Sequence, residues 1–311
     1  MALIAVAVGI FLLIKGGDWL MRASVAISLR FSIPKIVIGM TVVSFATSAP
    51  ELIVSIRSAL SGHPDLAIGN VVGSNIANLG FVLAITIIIS PIYVTPSFYK
   101  TDWPMMILAS VLFYLFTAFD YQLEAYEGAI LLVFLLSFIV YLIKFQKRTI
   151  LDEAPEDDEA LESLKTITYL ILGGFSLWLG SETLIKGAVN LAQNLGVSER
   201  IISVSIVSVG TSIPELSASI IAIINKQKAL SIGNLIGSNI FNLLAVMGIT
   251  AMIHPITIED VGFLNNDIWW MFGISFLLLP MGFFIKGLKL SWIEGLILFF
   301  LYFIFIIPLF I

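Results

Sequence analysis

Residues 46 to 92 of this 311-residue chain align with residues 210 to 256 at a constant offset of 164, without a gap, and about half of the aligned positions are identical. The register extends backward, pairing "GGDWL" at 16–20 with "GSETL" at 180–184. A repeat of this length constrains the fold more than any other feature, because whatever the first half builds the second half must build again.

What each copy builds follows from hydropathy. Hydrophobic residues make up 59% of the chain and charged residues 12%, against roughly 25% charged in soluble domains. With a mean hydropathy of +1.05, the chain reads as a polytopic membrane protein. At about 20 apolar residues per span, helices are expected near 2–29, 35–61, 66–89, 103–120 and 125–146, and again near 166–193, 199–225, 230–253, 268–286 and 291–310. The fold class is therefore all-α, with ten transmembrane helices. Residues 1–146 form the first five-helix repeat, 147–165 an acidic linker, and 166–311 the second repeat. The linker is read as solvated, since seven of the 21 acids fall within 151–163.

Five is odd, so the two copies enter the membrane from opposite faces and are related by an axis in the membrane plane. Such a molecule looks alike from both sides, which suits alternating access. Orientation follows from Lys and Arg: twelve lie beside loops after odd-numbered segments, and only Arg57, Lys186 and Arg200 lie on the other side. That bias predicts a cytoplasmic linker and both termini outside. The first segment starts at Ala2 with no basic stretch before it, so no cleavable signal is expected.

Several chemistries are excluded. The chain has no cysteine, hence no disulfide, thiolate metal site or cysteine nucleophile. His63 and His254 sit beside Pro64 and Pro255 at segment ends and read as loop residues. An intramembrane protease finds no Asp dyad, His metal pair or Ser-Lys dyad to work with, and neither a cofactor nor a nucleic-acid partner is expected. The lipid bilayer is the expected environment, with no obligate protein partner.

Four acids fall well inside predicted spans: Asp18, Glu51, Glu182 and Glu215. Charge at membrane depth is costly and by default functional. Asp18 and Glu182 are copies of one another; each suits either a structural contact with Arg22 or Lys186 or a part in gating. Glu51 and Glu215 sit in richer surroundings, "SFATSAPELIVS" at 44–55 and "SVGTSIPELSAS" at 208–219. Pro50 and Pro214 remove a backbone donor and loosen the preceding turn, and non-helical backbone at membrane depth persists only in protein or a polar cavity. Hydroxyls precede each proline (Ser44, Thr47, Ser48; Ser208, Thr211, Ser212) and a carboxylate follows it. Carbonyls, hydroxyls and carboxylates are the ligands of a hard cation.

The next segment carries "GNVVGSNIAN" at 69–78 and "GNLIGSNIFN" at 233–242. The glycines allow close helix approach, while Ser74 and Asn78, four apart, share a helix face, as do Ser238 and Asn242. Two facing carboxylates repel unless a cation lies between them. One Ca²⁺ neutralises the pair, and Na⁺ or H⁺ competing for the same oxygens is a physical route to antiport.

The paired "ATSAPE" and "GTSIPE", each followed by "GNxxGSNIxN", closely resemble the two alpha repeats of the Ca²⁺/cation antiporter superfamily, particularly its sodium/calcium exchanger branch, over motif regions 44–78 and 208–242. The resemblance implies an ion-binding core of the second, third, seventh and eighth helices, with the long first and sixth helices sliding against it. It implies Glu51 and Glu215 as central Ca²⁺ ligands, with the Thr47 and Thr211 carbonyls. Ser48 and Ser74, with the Ser44 carbonyl and Glu215, would form a Na⁺ site toward the cytoplasm. Ser212 and Ser238, with the Ser208 carbonyl and Glu51, would form its mirror image, and Asn78 and Asn242 would flank the central site. Two departures stand out: Ala46 replaces the usual glycine, which Gly210 retains, and Asn242 stands where potassium-dependent relatives carry Asp. The acidic "GNxxE" of the proton-coupled branch is missing, which favours Na⁺ as counter-ion. The resemblance thus implies a Na⁺/Ca²⁺ antiporter exchanging three Na⁺ for one Ca²⁺, while the lack of cysteine and the short linker without a recognisable calcium-sensing domain point to a prokaryotic plasma membrane. An H⁺/Ca²⁺ antiporter and a cation channel are the alternatives.

Overall fold

The computed structural model of the chain describes residues 2–94, 96–145, 161–195, 210–284 and 288–310. As far as these reach, helices occupy every predicted segment. They are α1 (Ala2–Phe31), α2 (Lys35–Thr47), α3 (Ala49–Leu60), α4 (Pro64–Ile89), α5 (Phe98–Ala118), α6 (Ala125–Phe145), α7 (Ser163–Asn194), α8 (Ile213–Ile224), α9 (Lys228–Ile253), α10 (Ile268–Phe284) and α11 (Trp292–Ile306). Helices α2 and α3 share the segment predicted at 35–61. Among the described residues α1, α4, α5, α6 and α9 are each long and apolar enough to cross a membrane, and α2 with α3 makes a sixth if counted as one broken span.

Two features depart from the all-α expectation. Four two-residue strands, β1 (Ile92–Tyr93), β2 (Gln122–Leu123), β3 (Ile256–Thr257) and β4 (Lys289–Leu290), form antiparallel pairs, β1 with β4 and β2 with β3. They join loops far apart in sequence, and hydropathy carries no signal for pairings of two residues. Within the helices, π-helical turns at Gly39–Val43, Asn78–Leu83 and Asn242–Val246 widen the hydrogen-bond ladder. Such bulges concentrate at functional sites.

The repeat is visible element by element. Helix α3 maps onto α8, the π turn at Asn78–Leu83 onto that at Asn242–Val246, and β1 onto β3, each at the sequence offset. Gly62 and Lys226, one past the C-caps of α3 and α8, both take left-handed backbone, φ 75° and 59°.

The chain divides into two compact units. The first, Met1–Thr47 with Ile139–Leu235 and Leu309–Ile311, is organised around α1 and α7. These run antiparallel along a seam of small residues at every seventh position: Ala2, Gly9, Gly16 and Ala23 on one helix, Gly173, Gly180 and Gly187 on the other. A Cβ on Gly16 would stand 2.8 Å from the Leu177 backbone nitrogen, and one on Gly180 would stand 2.9 Å from that of Leu13. The backbones touch, so the seam admits only small residues. Leu13, Leu20, Met21, Leu177, Ala218 and Ala222 complete its core.

The second unit, Ser48–Phe138 with Ile236–Pro308, surrounds the buried α4 and the end of α9. Two copy-related contacts fix its outer helices. Gly128 of α6 meets the Gly248 carbonyl, and Gly295 of α11 meets the Ala84 carbonyl.

Candidate functional site

Helices α3 and α8 start in the same way. Ser48 has φ −86° and ψ 3°, Ser212 φ −86° and ψ 4°, and each is followed by a proline in the first turn of the new helix. Proline suits that position, where its missing N–H is not needed. The next residue is the glutamate: Glu51 in the first turn of α3 and Glu215 in that of α8, each 0% exposed. A helix N-terminus favours negative charge, which offsets part of the desolvation a buried carboxylate suffers.

In the second unit Asn70 ties α4 to α3 at the glutamate. Its Nδ2 donates to the Glu51 backbone carbonyl at 3.2 Å and to Ser55 Oγ at 3.0 Å. In the first unit its copy, Asn234, donates to Ser219 Oγ at 3.4 Å and accepts from Thr47 Oγ1 at 3.1 Å. Ser44 Oγ lies 2.8 Å from the Gly39 carbonyl and 2.9 Å from that of Asn234. The Ser44 and Thr47 hydroxyls are therefore engaged by protein. Thr47 Oγ1 also reaches the Ser44 carbonyl at 3.3 Å, which leaves that carbonyl a second lone pair.

Six of the expected residues lie in the second unit, all buried: Ser48, Glu51, Ser74, Asn78, Ser238 and Asn242. Ser44, Thr47, Ser212 and Glu215 are buried in the first unit, where Thr211 is half-buried, and Ser208 lies outside the described residues. Three expected groups keep buried acceptor oxygens without a hydrogen-bond partner among the described residues: Ser212 Oγ, Asn78 Oδ1 and Asn242 Oδ1. A buried polar atom in that state calls for water or a cation.

Asp18 and Glu182 each stand beside a cation of their own helix. Asp18 pairs with Arg22 at 3.0 Å and Glu182 with Lys186 at 2.7 Å, in i,i+4 pairs whose carboxylates are 27% and 47% exposed. The acids that share the burial of Glu51 and Glu215 among the described residues are instead Asp102, Glu127 and Glu294, at helix starts. Glu294 Oε2 accepts from the Ser291 backbone at 2.7 Å, and Glu127 Oε2 from that of Glu124 at 2.9 Å. Helix capping explains the burial of these two glutamates.

Sequence reasoning passed over Asn70, Asn234, Ser55 and Ser219. A signal was available: both copies keep the Asn of "GN" and a Ser four residues after the glutamate, on its helix face. The Ala46 departure also finds its reason. A Cβ at Gly210 would stand 2.5 Å from Ile185 Cδ1, whereas Ala46 faces Gly174, whose own Cβ would stand 3.6 Å from that of Ala46. The smaller neighbour admits the methyl. Both histidines are exposed at helix ends, as expected of loop residues.

Comparison with known proteins gives a consistent picture. The sodium/calcium exchanger protein family matches residues 1–144 and 165–310. The CaxA protein of Alkalimonas amylolytica is 36% identical over 309 residues, 96% of this chain and 95% of that one. The sodium/calcium exchanger MaX1 of Methanosarcina acetivorans is 28% identical over 345 aligned residues, covering 97% of this chain and 96% of its own. Among solved structures, the sodium-calcium exchanger NCX_Mj soaked with zero Na⁺ and Ca²⁺ superposes with a TM-score of 0.82 at 27% identity, covering 97% of each chain.

Proposed function

The chain belongs to the sodium/calcium exchanger protein family, and from that membership we propose that it is a secondary antiporter exchanging Na⁺ for Ca²⁺ by alternating access. The observation that carries the reading is the duplicated helix start, which in each copy places a fully buried glutamate one residue past a proline. Nothing in packing alone repays the burial of two carboxylates; a cation that comes and goes does.

In this reading Glu51 and Glu215 supply the two charges that one Ca²⁺ neutralises, aided by the Thr47 and Thr211 carbonyls. Ser44, Ser48 and Ser74 serve one Na⁺ site, and Ser208, Ser212 and Ser238 its counterpart, each sharing a glutamate with Ca²⁺. Sharing makes occupancy exclusive, which is what couples the two fluxes. With three Na⁺ entering per Ca²⁺ leaving, the cycle moves net charge and extrudes Ca²⁺ against its gradient. Ten spans in two inverted repeats, the linker in the cytoplasm and both termini outside the plasma membrane, complete the proposal.

The test is ⁴⁵Ca²⁺ uptake into proteoliposomes loaded with Na⁺. Uptake should build up above the external concentration, and vanish when choline replaces Na⁺ inside. Uptake sustained by a pH gradient alone would point to H⁺ as the coupling ion, and uptake that only equilibrates would point to a channel.

A further inference from the structure

Four buried asparagines of the second unit, Asn75, Asn78, Asn239 and Asn242, occupy copy-related positions, and the structure treats the copies differently. Asn242 Nδ2 donates to Asn75 Oδ1 at 3.1 Å. Asn75 Nδ2 in turn lies 3.2 Å from the Asn239 backbone carbonyl and 3.7 Å from Met271 Sδ. The order of these bonds fixes both amides. A carbonyl can only accept, so Asn75 presents its nitrogen there and its oxygen to Asn242, which must then answer with nitrogen. The oxygen left over, Asn242 Oδ1, is buried and has no hydrogen-bond partner among the described residues. Asn78, the copy of Asn242, is 0% exposed, and neither of its amide atoms has a hydrogen-bond partner among the described residues. The lock is therefore a contribution of Asn75 and not of the repeated motif as such.

We infer that Asn75 is a positioning residue for ion binding, holding the Asn242 amide so that its oxygen, and not its nitrogen, is offered to the transported cation. The inference rests on the proposed role of Asn242 beside the central site. An amide free to flip would present N–H to a cation for part of the time, and that repels. The same lock is selective for asparagine at 242: a carboxylate there would set an oxygen against Asn75 Oδ1, with no hydrogen to share.

The test is a double-mutant cycle read as the Ca²⁺ concentration giving half-maximal Na⁺-driven ⁴⁵Ca²⁺ uptake, for the native chain, Asn75→Ala, Asn242→Ala and the double variant. Each single change should raise that concentration about three- to tenfold, the worth of a neutral hydrogen bond. The double variant should be no worse than Asn242→Ala alone, because Asn75 acts only through Asn242. Thermal unfolding in ion-free choline buffer reports any purely structural loss separately. If Asn75→Ala does not fold, Asn75→Ser keeps a polar group in place, but its hydroxyl stops short of the Asn242 amide and should show the same rise. An unchanged half-saturation in the Asn75 variant beside a raised one in Asn242→Ala overturns the inference, as do additive effects. A normal half-saturation in Asn242→Ala removes Asn242 from the ion site, a failure of the site reading that the other two results leave standing.

Discussion

A glutamate with 0% exposure, as Glu51 and Glu215 both are, destabilises a protein unless something positive or hydrogen-bonding meets it. Both were legible in the sequence, because an acid after a proline inside an apolar run has few structural excuses. The residues that hold them in place were less so. Asn70 is one polar letter in a glycine-rich motif, and its bond to the Glu51 carbonyl appears only once α3 and α4 are packed. Asp18 and Glu182 looked equally embedded by position, yet they lie on partly exposed helix faces beside their own cations; a linear sequence does not say which face is buried. Replacing Glu51 or Glu215 by Gln separates stability from function. With no cation present the neutral amide removes a buried charge, so the thermal midpoint in ion-free choline buffer should rise. The further rise that Ca²⁺ gives the native protein should disappear, and exchange should fall about a hundredfold or more, since removing one partner of a buried charge pair is worth roughly 3–5 kcal/mol. A variant that keeps its Ca²⁺-dependent stabilisation would place the ion elsewhere.

At the level of elements, apolar run length located the helices to within a few residues, but the widened turns at Gly39–Val43 and Asn242–Val246 and the two-residue strands left no trace in it. Those depend on which backbone groups meet in three dimensions. The seam between α1 and α7 is an intermediate case. Its seven-residue spacing of Gly9 and Gly16, and of Gly173, Gly180 and Gly187, is written in the sequence, but only the contact distances reveal that the two stripes face each other. A methyl at either Gly16 or Gly180 would land within 3.0 Å of opposing backbone atoms, which have no rotamer to yield. Gly16→Ala and Gly180→Ala should therefore each lose roughly 1–3 kcal/mol of stability through overpacking. In Gly273→Ala the added methyl meets nothing within 4 Å, and its stability should hold or rise slightly, because alanine is the better helix former. Thermal unfolding of the three variants in one detergent makes the comparison, and equal stability for all of them would remove the seam as a constraint.

For the whole molecule the strongest claim is that the two copies face opposite ways, and the loop pairings bear on it. By the lysine and arginine bias, the loops holding β1 and β4 lie on the cytoplasmic side and those holding β2 and β3 outside. Each strand pair joins two loops assigned to the same side, β1 with β4 and β2 with β3. The Asp65 carboxylate likewise accepts from the backbone of Glu259 and Asp260 at 3.0 Å, again two loops assigned to the outside. On that assignment the copies β1 and β3 fall on opposite faces, as inverted repeats would place them and parallel repeats would not. The absence of cysteine makes a direct test clean. Ser61 and Asn225 are copies at the C-caps of α3 and α8, both exposed. In Ser61→Cys the single thiol should react with a membrane-impermeant maleimide added to intact cells. In Asn225→Cys it should react only after the membrane is permeabilised. Labelling of both from the same side would mean that the copies enter the membrane in the same sense, and alternating access built on their inversion would have to be abandoned.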